Sequence, residues 1–96
     1  MKRANYPPLP QTLGDIFSAL MSAGVLQLPR EKEAWPQNVD MSRYCYFHRQ
    51  PGHTVENCFQ FRDYVYDLHE QGQIDWSEMA KYIATLKARH PQRQAQ

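Results

Sequence analysis

The sequence predicts a small, α-rich domain in which three helices surround one short loop rich in cysteine and histidine. The chain has 96 residues, a length that fits a single domain over 1–96. Apolar residues recur at helical spacing in three separate stretches, each flanked by helix start and stop signals. Both cysteines and two of the four histidines fall in one connection between these stretches. A chain of this size buries a smaller fraction of its surface on folding than a larger domain does, so its stability margin is thin. We therefore expect a bound metal to help stabilise the fold.

The connection at 44–58, YCYFHRQPGHTVENC, carries the strongest pattern in the chain. Its four potential metal ligands, with two, four and four residues between them, are Cys45, His48, His53 and Cys58. Thiolates and imidazoles bind Zn²⁺ tetrahedrally at about 2.0–2.3 Å, so the loop must double back to bring four side chains this close. We expect Pro51-Gly52 to form that reversal. The spacing is typical of a zinc knuckle, with His48 where the usual knuckle has a second cysteine. The prediction is one Zn²⁺ per chain.

The alternative to a metal site is a disulfide between Cys45 and Cys58, or two unrelated buried thiols. The first ten residues, MKRANYPPLP, contain no apolar signal region, and two cysteines without such a region point to a reducing compartment. We therefore expect an intracellular protein of the cytoplasm, the nucleus or both. The other two histidines, His69 and His90, lie outside the ligand spacing and are expected to be solvated surface residues.

A first unit, a helix with an extended tail, is predicted over 12–28. Residues 1–11 contain three of the seven prolines and should be extended. Thr12 is the expected N-cap of a helix over 13–23, and Gly24 its stop signal. The apolar face of this helix consists of Leu13, Ile16, Phe17 and Leu20. A charged, irregular linker over 30–42 follows, in which Trp35 is expected to cover the edge of the core.

A second helix with a short extended tail is predicted over 55–76, and a third helix over 76–89. Thr54 is the expected cap of the second helix, which should run over 55–71 and stop at Gly72. Its apolar stripe is Cys58, Phe61, Val65 and Leu68. Asp75 and Glu78 form a start signal for the third helix, whose apolar face is Met79, Tyr82, Ile83 and Leu86. His90-Pro91 should end it, and 91–96 is expected to be disordered.

The first two units share a sequence pattern at a constant offset. Asp15-x-Phe17-x-x-Leu20-x-x-x-Gly24-x-Leu26 matches Asp63-x-Val65-x-x-Leu68-x-x-x-Gly72-x-Ile74. The pattern predicts that the first two helices pack on each other with Leu20 and Leu68 buried, and that their tails could pair as a minimal two-strand ribbon. The alternative is that any amphipathic helix ending at a glycine produces this pattern.

The chain resembles the gag polyprotein of plant gypsy-type LTR retrotransposons, or a host domain derived from one. The matching residues, which cover roughly 7–76, are Pro8-Leu9-Pro10, Gly24-Val25-Leu26, Tyr44-Cys45-x-Phe47-His48-Arg49, Gly52-His53-Thr54-x-x-x-Cys58, Phe61-Arg62 and Leu68-x-x-x-Gly72-x-Ile74. At Phe61-Arg62 the match is one of residue type only, an apolar residue before a basic one, because Leu-Lys is common there in the family. It also has a predicted third helix where members often carry a basic, poorly ordered tail.

The resemblance implies binding of single-stranded RNA or DNA through the knuckle. It assigns base stacking to Tyr46, which follows the first ligand, and Arg43, Arg49 and Arg62 could then contact phosphates. The net charge of +1, from 11 basic and 10 acidic residues, is low for such a protein.

The second hypothesis is therefore a protein-interaction or self-association module, acting through helix faces, in which zinc is only structural. Phe59, Tyr64 and Tyr66 lie off the second helix's apolar stripe and would cover the third helix or face a partner. We do not expect an enzyme or a small-molecule substrate, because four protein ligands close a zinc site and leave Glu56 no metal-bound water to activate. No apolar run approaches the roughly 20 residues of a membrane span, so no membrane partner is expected.

Overall fold

The computed structural model describes residues 4–31, 34 and 37–89, which form three α-helices, one 3-10 turn and one two-stranded sheet. The helices are α1 (Leu13–Ala23), α2 (Phe59–Glu70) and α3 (Trp76–Arg89), and the 3-10 turn is Val55–Asn57. Strand β1 (Tyr44–Cys45) pairs antiparallel with β2 (Gln50–Pro51). Trp35, His90 and the tail over 91–96, for which disorder is expected, lie outside the described residues.

The bounds of α1 agree with the prediction because both of its end signals form. The Thr12 hydroxyl accepts a hydrogen bond from the Asp15 N–H at 3.1 Å. At the other end Gly24 takes a left-handed conformation with φ of 73°, and the N–H groups of Gly24 and Val25 both reach the Leu20 carbonyl. These bonds satisfy backbone groups that the helix leaves unpaired at its two ends.

The predicted start of the second helix is wrong. Thr54 makes no side-chain cap, residues 55–57 form the 3-10 turn, and α2 begins only at Phe59. The N-cap is Cys58, whose extended backbone interrupts the helical path and whose Sγ accepts the Phe61 N–H at 3.5 Å. The sulfur therefore satisfies a free donor of the first turn, as a capping oxygen would. The stop signal behaves as expected, since Gly72 follows the helix with φ of 70°.

The third helix, unlike the second, begins where its sequence signal predicts. The Asp75 carboxylate accepts hydrogen bonds from the N–H groups of Ser77 at 3.0 Å and Glu78 at 3.1 Å. Ile83 is buried on the inner face of α3, and Met79 is half-buried against the core. The bounds predicted from the apolar periodicity, 76–89, match those of the helix.

The core joins the helices to the loop that carries the cysteines. Its fully buried side chains are Ile16, Cys45, Cys58, Phe61 and Val65. The Phe61 ring lies at its centre, with ring centroids 5.5 Å from Phe17 on α1 and 5.3 Å from Phe47 in the loop. Because Phe61 contacts both, the loop cannot change shape without disturbing the packing of α1 and α2.

The predicted pairing of the first two units is corrected in two respects. Helix α1 packs mainly on α3 and on the 3-10 turn rather than on α2, and Leu20 and Leu68 are half-buried rather than buried. The left-handed turn at Gly72 directs α3 back over α1. An ion pair of 3.0 Å between Lys87 Nζ and Asp15 Oδ2 joins these two helices.

The two-strand ribbon exists, but not where the repeat predicts it. Neither predicted tail forms a strand in the described residues, and the two strands lie within the cysteine-containing loop. The first N–H of each tail is used to close the preceding helix, by bonds from Val25 to Leu20 and from Gln73 to Leu68.

The sequence predicts that Tyr66 either covers the third helix or faces a partner. Tyr66 is buried under the N-terminal segment instead, with its ring edge-to-face against Tyr6 at 5.1 Å and its hydroxyl donating to the Pro7 carbonyl. Phe59 is exposed, whereas Tyr64 is half-buried near the core. The segment around Tyr6 therefore forms part of the fold and ties the N-terminus to α2.

Candidate metal centre

A hairpin positions the first two candidate ligands. Tyr44 pairs with Pro51 and Cys45 with Gln50, and the chain reverses between the strands at residues 46–49. Arg49 takes a left-handed conformation with φ of 59° and its N–H bonds the Cys45 carbonyl. The expected reversal at Pro51-Gly52 is therefore corrected, because Pro51 lies in β2. Gly52, with φ of 125°, makes a second turn and donates its N–H to the Arg43 carbonyl at 2.9 Å.

The four predicted ligands lie together as a group that could hold a metal ion. The ligand atoms of Cys45, His48, His53 and Cys58 all lie within 4.8 Å of one another. His48 Nδ1 lies 3.6 Å from Cys45 Sγ and 3.5 Å from Cys58 Sγ. If a tetrahedral ion lies about 2.3 Å from a sulfur and about 2.0–2.1 Å from a nitrogen, that sulfur and that nitrogen are about 3.6 Å apart. These two separations therefore match a tetrahedral ion with Nδ1 as the ligand atom of His48.

Neighbouring groups orient the ligands. The His48 N–H donates to Cys45 Sγ at 3.4 Å, and the Phe61 N–H donates to Cys58 Sγ at 3.5 Å. The bond from Phe61 favours the charged thiolate of Cys58 over the neutral thiol. On the far side of the His48 ring, Nε2 lies 2.9 Å from Gln60 Oε1. If Nδ1 holds a metal, Nε2 carries the proton and donates it to Gln60, which fixes the ring orientation.

Burial disfavours the charged forms of Cys58 and His53 when no cation is bound. Both cysteines are fully buried and neither forms a disulfide, so the disulfide alternative is not what the structure contains. Without a cation, burial raises the pKa of the Cys58 thiol to about 11. A bound cation reverses this effect, because a coordinating thiol loses its proton outright. Burial, and to a lesser extent the neighbouring His48, lowers the pKa of His53, which keeps that imidazole neutral and able to bind a metal.

Tyr46 and Arg43, two of the residues expected at a nucleic-acid interface, are exposed beside the first ligand. The Tyr46 side chain is 63% exposed, and its ring meets that of Tyr44 edge-to-face at 5.1 Å. The Arg43 side chain forms an ion pair of 3.3 Å with Asp40, in which both partners are about half exposed. A pair this exposed contributes little free energy, so Arg43 can exchange Asp40 for another anion.

The other two expected arginines have partners within the fold. Arg49 donates to the Pro29 carbonyl and lies 3.7 Å from a Glu31 oxygen, so it fastens the segment after α1 to the hairpin. Arg62 lies over the rings of Tyr6 and Phe59, with its guanidinium carbon 5.4 Å and 5.8 Å from their centroids. Nucleic-acid contacts by either residue remain a prediction.

Phe59 is a surface residue that the sequence reasoning did not assign to the site. It directly follows Cys58, is 57% exposed and lines a shallow cavity beside the ligands His48 and His53, together with Arg43, Asn57 and Gln60. Its position one residue after a ligand, the same as that of Tyr46, is the signal that could have identified it.

His69 and Glu56 both link separate elements of the fold. His69 is exposed as expected, but its Nδ1 accepts the indole N–H of Trp76 at 3.0 Å, so it also links α2 to α3. Glu56 uses its carboxylate to accept the Gly14 N–H at 2.7 Å, in the first turn of α1. This carboxylate therefore joins the turn that precedes Cys58 to the start of α1.

Comparison with known proteins returned no relative. No family model matches the chain, and no curated protein and no solved structure matches it significantly. Across the described part of the chain, no helix is both long enough and apolar enough to cross a bilayer.

Proposed function

We propose that this chain is a structural zinc-binding module that binds single-stranded nucleic acid through the surface around Cys45 and Cys58. Two thiolates and two imidazoles form a donor set that suits Zn²⁺ better than the oxygen-preferring Mg²⁺ or Ca²⁺. Four protein ligands would fill the tetrahedral shell, so the ion would stabilise the loop rather than activate water.

The single observation that carries the binding proposal is the position of two exposed aromatic residues. Tyr46 follows the ligand Cys45 and Phe59 follows the ligand Cys58, and both rings are more than half exposed. An exposed aromatic ring is unfavourable in water but provides a stacking surface for an unpaired base. Because each ring is attached next to a metal ligand, a bound ion would hold both in position before nucleic acid arrives.

The polar groups beside Phe59 fit the same ligand. Arg43, Asn57 and Gln60 share one cavity with Phe59, and they could reach phosphates and base edges. Since Arg49 and Arg62 already contact groups of the fold, we expect only about one to three phosphate contacts and correspondingly weak salt dependence. The net charge of +1 is consistent with weak rather than tight binding.

We also propose that the module derives from the gag protein of a gypsy-type LTR retrotransposon. The support for this origin is the ligand spacing together with Tyr44 before the first ligand, Phe47 between the first two ligands and Arg49 after the second. The four-ligand arrangement is compatible with a knuckle of that kind.

The test is fluorescence anisotropy of a labelled, single-stranded RNA of mixed sequence at about 50 mM salt, where weak electrostatic binding is strongest. We expect Tyr46→Ala and Phe59→Ala each to lose about 1–3 kcal/mol, or about 5- to 150-fold in affinity, while zinc content stays unchanged. The control is Val25→Ala, which removes an equally exposed apolar side chain outside the loop. Flat anisotropy with the zinc-loaded protein at high micromolar concentration would refute nucleic-acid binding.

A second candidate function, protein interaction, is favoured by one separate observation. An apolar groove lies between the end of α1, the end of α2 and the start of α3. It is distinct from the cavity at the metal ligands, and none of the proposed nucleic-acid contacts lines it.

A further inference from the structure

The Arg62 guanidinium contacts two aromatic rings at the start of α2. Its central carbon lies 5.4 Å from the ring centroid of Tyr6 and 5.8 Å from that of Phe59. Both distances fall within the roughly 6 Å at which a cation is attracted to the face of an aromatic ring. Phe59 is 57% exposed, and Arg62 follows it by three residues on the same face of the helix. The guanidinium therefore restrains the orientation of a ring that is more than half exposed to solvent.

The segment before α1 helps to fix Arg62 in this position. The Tyr6 ring, over which the guanidinium lies, meets Tyr66 edge-to-face at 5.1 Å. The Tyr6 hydroxyl also donates to Asp63 Oδ1. Arg62 itself donates to the Glu56 carbonyl at 3.4 Å. These contacts hold the cation in place before any ligand binds.

We propose that Arg62 is a positioning residue for nucleic-acid binding, which holds the Phe59 ring ready to stack on a base. This role rests on the function proposed above, in which Phe59 is one of the stacking residues. A cation on one face of a ring leaves the opposite face for a base, and a ring that is already ordered loses less conformational entropy on binding. A phosphate would have to compete with the two rings and the Glu56 carbonyl for the guanidinium, whereas the positioning role uses the contacts that the structure contains.

Anisotropy titrations of the labelled single-stranded RNA between about 50 and about 200 mM salt separate positioning from phosphate contact. Arg62→Ala should lower the affinity by about 2- to 5-fold, which is what an exposed contact between a cation and a ring contributes, and should leave the salt dependence unchanged. Loss of a phosphate contact would instead lower the slope of log affinity against log salt by about 0.7. The control is Arg89→Ala, which removes the same charge from an exposed site at the end of α3 and should change neither quantity. A lower slope in Arg62→Ala alone would overturn the positioning role.

A double-mutant cycle tests whether Arg62 acts through Phe59. In the Phe59→Ala background, Arg62→Ala should cause no further loss of affinity, because the ring that it orients is absent. Tyr6→Ala should weaken binding in the wild-type background and not in the Phe59→Ala background, since Tyr6 acts through Arg62. Equal losses from Arg62→Ala in the two backgrounds would overturn the inference.

The order of the Phe59 ring in the zinc-loaded protein without RNA separates failure of this inference from failure of the proposed function. Carbon-13 relaxation of the phenylalanine rings should give a lower order parameter for Phe59 in Arg62→Ala than in the wild type. The Phe47 ring, which is buried, should be unchanged. A Phe59 ring of equal order in both proteins would overturn the positioning role even if RNA binds. A ring that Arg62→Ala loosens, together with flat anisotropy, would support the restraint of Phe59 by Arg62 and refute nucleic-acid binding.

Discussion

Phe61 offers the sharpest test of how the loop and the helices share one core. It is fully buried, its ring contacts Phe17 and Phe47, and its N–H bonds the sulfur of Cys58. A buried phenylalanine removes about 150–200 Å² of surface from water, which at about 25 cal/mol/Å² is worth about 4–5 kcal/mol. Phe61→Ala should therefore destabilise the protein by about 3–5 kcal/mol, out of a total of about 5–15 kcal/mol.

The matched control is Phe59→Ala, the same substitution two residues earlier at a side chain that is 57% exposed. It should cost less than about 1 kcal/mol. Urea denaturation followed by circular dichroism measures both, at a fixed excess of free zinc because a bound ligand adds to apparent stability. If Phe61→Ala does not fold, Phe61→Leu should still lose about 1–2 kcal/mol. Equal losses at positions 59 and 61 would refute the assignment of Phe61 to the shared core.

Three further predictions follow from individual contacts. Gln60→Ala should lower zinc affinity by about 10- to 100-fold in a chelator competition, because Gln60 orients the His48 ring. The control variant Gln71→Ala, at an exposed site after α2, should leave zinc affinity unchanged. Burial raises the pKa of the Cys58 thiol to about 11, so zinc must displace its proton at neutral pH. This one proton should make zinc affinity fall about tenfold for each pH unit by which the solution is made more acidic. An affinity that does not change with pH would contradict this. Glu56→Ala should destabilise the fold by about 0.5–2 kcal/mol in thermal melts by removing the acceptor of the Gly14 N–H, and unchanged stability would show that this bond contributes nothing.

The parts of the fold that sequence reasoning predicts well are those governed by local chemistry. Thr12, Gly24 and Asp75 act through hydrogen bonds to backbone groups a few residues away, so the bounds of α1 and α3 follow from the sequence. The spacing of the four Cys and His residues is likewise local, and they lie together as predicted.

The errors arise where tertiary contacts decide between local alternatives. Thr54 and Cys58 are both possible caps for α2, and the burial of the Cys58 sulfur among the other ligand atoms selects the second. An amphipathic stripe such as that of α1 identifies an apolar face but not the helix that covers it, so packing on α3 was missed. Strands of two residues carry no periodicity, and the hairpin at Cys45 therefore gave no signal. Arg49 bonds a carbonyl twenty residues away, which no short-range rule predicts.

Native mass spectrometry of the intact protein tests the central claim most directly, because it counts metal ions on folded chains. We expect one Zn²⁺ per chain, seen as the mass of one zinc ion less the two protons that it replaces by charge balance. Cys58→Ser should reduce this occupancy strongly, whereas His69→Ala, at a histidine outside the ligand group, should leave it unchanged. A wild-type chain that carries no zinc after refolding with the metal, or an equal loss in both variants, would contradict a zinc site at Cys45, His48, His53 and Cys58.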